Sequence, residues 1–186
     1  MTQFTFSPDQ TPGLVAESAA ARVKLAAPVA RFSLRARPAA RATLARVLGL
    51  TLPDRIGARS RAEAREALRL GPDEWLIHAP EAEAPRLTAD CAAAYDAAPH
   101  SLVEISDREV TFAISGPEAR DLLTLGLPRD VDSIAVGEGR RTVFDGQTVV
   151  LWRDEDQAFR MDVWRSFAPH VAHLLATGCR ELALEL

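Results

Sequence analysis

Glu109-Val110-Thr111-Phe112-Ala113-Ile114-Ser115-Gly116-Pro117-Glu118-Ala119-Arg120 is the stretch on which the reading of this 186-residue chain turns. Val110, Phe112 and Ile114 alternate with Glu109, Thr111 and Ala113, the period of a half-buried strand. Pro117 then stands where a helix begins, since its missing N–H costs nothing in a first turn. Ala119, Leu122 and Leu123 supply the inward stripe and Gly126 the stop. An earlier stretch repeats the plan. Ala30, Phe32, Leu34 and Ala36 alternate with Arg31, Ser33 and Arg35, Pro38 opens a helix carrying Leu44, Val47 and Leu48, and Gly49 ends it. The two helix starts share a phrase, Pro38-x-Ala40-Arg41-x-x-Leu44 and Pro117-x-Ala119-Arg120-x-x-Leu123, each leading into Leu-Gly-Leu.

The remaining segments extend both copies. Residues 53–64 read as a polar loop. Ala67 to Leu70 is a strand, turned by Gly71-Pro72-Asp73 into a second strand from Trp75 to Ala79. A helix is predicted over 83–95 and a strand from His100 to Ile105. In the second copy, Arg140 to Phe144 and Thr148 to Trp152 flank Asp145-Gly146, a hairpin signal because both residues tolerate positive φ. Ala158 to Trp164 is a further strand. Ser166 is expected to cap a helix with Phe167, Val171, Leu174 and Leu175 inward and Gly178 at its end, and residues 181–186 alternate like a closing strand. The expected class is α+β, with two ferredoxin-like βαββαβ lobes over 28–107 and 108–186 in one structural unit, the second lobe carrying one extra strand. Residues 1–27 are expected to form an extended arm with a short helix near 16–24, and an ordered arm would wrap another chain.

Composition narrows the function. No charged start followed by an apolar run marks the N-terminus, and no stretch approaches 18 uninterrupted apolar residues, so neither a secretory signal nor a membrane span is expected. A cytoplasmic location follows as an expectation, and with it Cys91 and Cys179 read as buried thiols. Residues 1–70 hold 12 Lys/Arg against 5 Asp/Glu, while residues 71–186 hold 10 against 21. The arginines alternate with alanines and lack interleaved aromatics, which argues against nucleic acid. A coding bias and a basic face for an acidic partner both remain open.

The chemistry-bearing motifs are weak. Gly137-Glu138-Gly139 lacks the third glycine of a dinucleotide fingerprint, and a strand follows where a helix is needed. His170 and His173 have helical spacing but no further ligands, so no metal site is assigned. Asp154-Glu155-Asp156 reads as a hairpin tip, and Cys179 beside Arg180 lacks a base. No catalytic residue is assigned. Trp75 reads as core, and Trp152 is open. Trp164 shares a strand face with Arg160 and Asp162, next to Arg165, which makes Trp164, Arg165 and Arg160 the candidate protein contact.

Four phrases carry a resemblance: Gly71-Pro72-Asp73-Glu74-Trp75-Leu76, Val103-Glu104-Ile105-Ser106-Asp107, Ser115-Gly116-Pro117-Glu118-Ala119-Arg120 and Arg165-Ser166-Phe167-Ala168. In this order they resemble the gamma subunit of heterotetrameric sarcosine oxidase, from about residue 30 to the C-terminus. Leu127 departs from the family pattern, where a cysteine is expected. The resemblance implies the fold of folate-binding aminomethyltransferases and a non-catalytic structural role in a complex that demethylates sarcosine oxidatively. It implies alpha, beta and delta subunits as partners. It also implies FAD, FMN, NAD and zinc carried by those subunits, with tetrahydrofolate as methylene acceptor, and no cofactor bound by this chain. The alternative is a stand-alone tetrahydrofolate-binding protein using Glu104 and Asp107.

Overall fold

The computed structural model describes residues 11–184. Two strands open the described chain, β1 (Gly13–Glu17) and β2 (Arg22–Leu25), followed by β3 (Ala30–Ala36), α1 (Arg41–Leu48), β4 (Arg59–Ala62), β5 (Arg65–Arg69), β6 (Glu74–Ala79), α2 (Ala84–Ala93) and β7 (His100–Glu104). The order continues through β8 (Glu109–Ser115), α3 (Ala119–Thr124), β9 (Gly139–Phe144), β10 (Gln147–Glu155), β11 (Ala158–Trp164) and α4 (Ala168–Leu182). The chain divides into two compact units, residues 29–106 and residues 1–28 with 107–186.

In the unit of residues 29–106 the sheet order is β4-β5-β6-β3-β7, with every neighbour antiparallel. Without edge strand β4 this is the ferredoxin-like arrangement, second-third-first-fourth. Phe32 and Leu34 of β3 and Trp75 and Ile77 of β6 pack with Leu44 and Leu48 of α1 and Leu87 and Cys91 of α2. Gly49 closes α1 in the left-handed region at φ 60°, a conformation glycine adopts without cost. Arg69 ties the β5–β6 turn to the preceding loop. Its guanidinium donates to the carbonyls of Gly71, Pro72, Pro53 and Asp54 and lies 5.1 Å from the Trp75 ring centre. Trp75 Nε1 donates to the Pro53 carbonyl at 3.0 Å, so the loop is pinned from both sides.

The other unit repeats the plan with one substitution. Its sheet order is β1-β2-β8-β11-β10-β9. β9 is the extra edge strand, as β4 is in the first unit. The fourth-strand place beside β8 belongs to β2 from the N-terminal segment. The closing strand expected at 181–186 does not form: α4 runs on to Leu182, and residues 185–186 lie outside the described residues. The short helix expected near 16–24 is likewise replaced by β1, a turn and β2, and this ordered arm wraps its own chain. The reason is hydrogen bonding. β8 needs a partner on its open edge, and β2 supplies one from Arg22↔Ser115 to Leu25↔Phe112. Residues 1–10 of the arm lie outside the described residues.

Glycine decides two packing contacts here. Gly116 sits at φ 129°, and a Cβ there would lie 2.8 Å from the Ala20 carbonyl oxygen and the Ala21 Cα. The Glu118 amide donates to that same carbonyl at 2.9 Å, so the β1–β2 turn is docked onto the start of α3. Gly178, expected to stop α4, instead lies inside it. It lets α4 approach α3 so closely that a Cβ would meet Leu125 at 2.2 Å and Leu122 at 2.6 Å. The core of this unit gathers Val23, Leu25, Phe112, Ile114, Leu122, Leu123, Phe159, Met161, Val171 and Leu175.

The uneven charge of the sequence is reduced in the folded units. Residues 29–106 hold 11 arginines and 10 carboxylates; the remainder holds 11 cations and 16 carboxylates, together the 22 and 26 of the whole chain. Arginines from residues 1–70 pair with carboxylates on neighbouring strands and turns: Arg35 with Asp73 and Glu74, Arg59 and Arg61 with Glu66, Arg65 with Glu83.

Candidate functional site

At the end of β11 the strand pattern brings a large aromatic to the surface. Trp164 is 44% exposed, and Phe167, three residues past the strand, is 37% exposed. Their rings stack with centres 6.5 Å apart and planes 29° from parallel. Phe167 was expected inward on the helix. It is instead the N-cap position of α4, and the helix begins without a side-chain cap from Ser166. The inward positions are Ala168, Val171 and Leu175, one turn later.

Arg108 also lies over the Trp164 ring, its guanidinium carbon 5.6 Å from the ring centre. It is held there by Glu109, whose buried carboxylate oxygen accepts from Arg108 Nε at 3.1 Å and Nη2 at 2.7 Å. The Arg165 amide donates to the Arg108 carbonyl at 2.9 Å, and the Arg165 side chain is exposed. The result is a cluster in which Arg108 and Phe167 both contact the Trp164 ring. Preorganised aromatic–arginine surfaces of this kind suit protein contacts, because little side-chain entropy is lost on binding.

The structure brings Trp164 and Arg165 together and engages Arg160 elsewhere. Arg160 Nε and Nη2 donate to the two Asp154 oxygens at 2.7 and 3.0 Å, and the guanidinium lies 4.9 Å from the ring centre of Trp152. Trp152 is fully buried, and its Nε1 donates to Asp162 at 2.6 Å. Thr111 Oγ1 donates to the other Asp162 oxygen at 2.5 Å. The polar face read from alternation is therefore closed over its middle and open at the Trp164 end.

The other candidates fall apart from one another. Glu104 is exposed at the end of β7 and accepts the Ser106 hydroxyl at 2.8 Å; Asp107 is exposed in the following turn. Neither lines the cavity of about 430 Å³ formed by Arg37, Ala39, Ala40, Ala97, Ala98 and Pro99. His170 meets Asp145 at 2.6 Å, joining α4 to the β9–β10 turn, and His173 is exposed. Among the described residues, no group of three or more His, Cys, Asp or Glu is arranged to hold a metal ion. Both cysteines are free and buried. Burial pushes the Cys179 thiol up to about 11, against the opposite pull of Arg180, and burial with the nearby Asp90 raises Cys91. High thiol pKa values mark inert side chains. No helix among the described residues is long and apolar enough to cross a membrane.

Sequence reasoning missed Phe167 and Arg108. Helical spacing assigned Phe167 to the core, because the position of the first turn was one step off. Arg108 lies 56 residues from Trp164, and only the β8–β11 pairing of Glu109 with Trp164 brings it close.

Comparison with known proteins turns this geometry into a family. The family model described as sarcosine oxidase, gamma subunit family, matches residues 33–180. The sarcosine oxidase subunit gamma of Arthrobacter sp. is 32% identical over 78% of this chain and 72% of its own length. That of Corynebacterium sp. strain P-1 is 32% identical over 77% and 71%. Among solved structures, a chain of the heterotetrameric sarcosine oxidase from Corynebacterium sp. U-96 matches with a TM-score of 0.81 and 28% identity, over 91% of this chain and 89% of that one. The glycine cleavage aminomethyltransferase T from Bartonella henselae matches with a TM-score of 0.57 and 16% identity, over 84% of this chain and 48% of that one, a likeness of fold. The chain belongs to the sarcosine oxidase gamma subunit family.

Proposed function

We propose that the chain is a structural subunit of a heterotetrameric sarcosine oxidase, supplying surface while flavin-bearing subunits demethylate sarcosine oxidatively. The observation that carries this reading is shared extent: the likeness to a chain of the solved heterotetramer spans nearly all of both chains. A role that depends on shape and surface travels with such a match. On this reading the partners are alpha, beta and delta subunits, and FAD, FMN, NAD and zinc reside on them. Methylene transfer to tetrahydrofolate takes place on another subunit, and the assembly works in the cytoplasm. Trp164 and Arg165 form the subunit contact, and Arg160 stiffens the strand that presents them.

Expression of the full chain alone and together with the other sarcosine oxidase subunits tests this. The lone chain is expected to aggregate or unfold at low temperature. The co-expressed chain is expected to purify in a stoichiometric complex with flavin absorbance. Titration of the lone chain with tetrahydrofolate is the counter-test: tight, saturable binding overturns the structural reading in favour of a free-standing folate protein using Glu104 and Asp107.

A further inference from the structure

Each sheet ends in two edge strands, and among the described residues three of these edges are blunted. β1 carries a bulge between Leu14 and Ala16, the four-residue β4 holds Arg59 and Arg61, and β9 holds Arg140 and Arg141. Bulges, short strands and cations are the devices that keep an open edge from pairing with another chain. The remaining edge, β7, reads His100-Ser101-Leu102-Val103-Glu104. It has no Lys, Arg or Pro, and its register against β3 runs without a break from Phe32↔Glu104 to Ala36↔His100. Val103 is 52% exposed, and Leu102 carries the core of its unit out to the edge.

The register fixes which backbone groups of β7 are open. The Ile105 amide donates to the Arg31 carbonyl at 2.8 Å, so those two residues form a hydrogen-bonded pair. Bonded and non-bonded pairs alternate along an antiparallel ladder. Val103 and Ser101 therefore turn their N–H and C=O toward β3, and His100, Leu102 and Glu104 turn theirs outward, where no strand of this chain lies. That outward row is its own complement. When a second β7 is laid antiparallel with Leu102 facing Leu102, His100 faces Glu104 at both ends. The His100 ring donates from Nδ1 to the Ala98 carbonyl at 2.7 Å, which leaves Nε2 for a carboxylate. Glu104 accepts the Ser106 hydroxyl on Oε1 at 2.8 Å, which leaves Oε2. Neither residue is ion-paired among the described residues. The unit of residues 29–106, with 11 arginines and 10 carboxylates, carries little net charge to oppose its own copy.

We propose that β7 pairs with β7 of a second copy of the chain, antiparallel about a two-fold axis at Leu102, so that two five-stranded sheets become one continuous sheet. Each facing pair along the new ladder, His100–Glu104 at the ends and Leu102–Leu102 in the middle, exchanges both of its backbone hydrogen bonds. The leucines join the two cores, and the histidine–glutamate pairs fix the register, since a slip of two residues sets His100 against Leu102. The pairing is a property of the chain itself and does not depend on the subunit reading.

The test uses the full chain purified in the cold without other subunits. Sedimentation equilibrium is expected to show a concentration-dependent dimer, and hydrogen exchange at residues 100, 102 and 104 is expected to slow as the dimer forms. Leu102→Pro removes an outward N–H, a change an edge strand tolerates, and is expected to leave monomer. Val103→Lys, on the exposed face, repeats the test without touching the core. Glu104→Lys is expected to weaken the dimer about 10-fold, and adding His100→Glu to it is expected to restore association by reversing the end pairs. Ser101→Cys with Val103→Cys tests the register, because Ser101 of one copy faces Val103 of the other at about 4.5 Å between Cα atoms, within disulfide reach. Oxidation is expected to link that variant into dimers. Val103→Cys alone, whose copies lie about 8 Å apart on the diagonal, is expected to stay unlinked. A folded parent chain that remains monomeric up to its solubility limit overturns the pairing. So does a dimer that Leu102→Pro and Val103→Lys both leave unchanged, and so does protection of residues 100–104 that arises only with another subunit bound. None of these outcomes bears on whether the chain assembles with the other subunits.

Discussion

Replacing Gly116 with alanine tests whether the N-terminal hairpin is an integral part of its sheet. Two penalties add at this position. The backbone stands at φ 129°, where an L-side chain costs about 1–3 kcal/mol. The new Cβ would also lie 2.8 Å from the Ala20 carbonyl oxygen and the Ala21 Cα. Those are backbone atoms and cannot rotate away, so the β1–β2 turn must move. Movement stretches the Glu118 amide bond to Ala20, a loss of about 1 kcal/mol. The total is about 2–4 kcal/mol. For a chain of this size each kcal/mol shifts the thermal midpoint by about 2–4 °C, so Gly116→Ala is expected to lower it by about 4–16 °C. Hydrogen exchange locates the damage: amides of residues 13–25 are expected to lose protection ahead of those in β9 and β10. An unchanged midpoint with full protection of residues 13–25 would refute the docking of the arm described here.

Three further outcomes follow from the internal contacts. Asp162→Ala leaves the Thr111 hydroxyl and the buried Trp152 indole without their acceptor and is expected to cost about 2–5 kcal/mol, read from the urea midpoint; Asp162→Asn keeps one acceptor oxygen and is expected to cost less. Arg69→Lys keeps the charge but cannot span four carbonyls, so it is expected to destabilise by about 1–3 kcal/mol and to raise exchange in residues 53–58 and 70–74; an unchanged profile counts against the pinning role. The Cys179 thiol has its pKa raised by folding, so the neutral form is favoured in the native chain. Stability from this group is full below the unfolded value of 9.0 and falls as pH rises from 9.0 through about 11, and thiol-reactive dye is expected to label it only on unfolding. Rapid labelling of the folded chain at neutral pH would contradict its burial.

Much of the fold is local and could be read from the sequence. Asp145 and Gly146 turn the β9–β10 hairpin at φ 46° and 78°, as their tolerance of positive φ suggested. Alternation in β3, β8 and β11 sorted Phe32, Phe112 and Met161 into the core. The errors share one physical cause, which is that the partners of strands and helices are chosen by the whole fold. Residues 181–186 alternate, yet the place they would fill is taken by β2, nearly 160 residues earlier. Gly178 resembles a helix stop, but its small size serves the approach of α3. The polar run Arg59–Ala62 has no apolar alternation, and it is a strand because β5 offers an edge. For the candidate site, exposure of Trp164 was legible from its polar strand face. Its company was not, since Arg108 reaches it only through pairing between strands distant in sequence.

The most direct test of the account is the native mass of material purified through a tag on this chain after co-expression with the other sarcosine oxidase subunits. The account predicts one stoichiometric hetero-oligomer whose flavins remain with the other polypeptides when it is dissociated. A stable, folded monomer of this chain alone, with the remaining subunits assembled and active without it, would contradict the claim that the chain works by lending its surface.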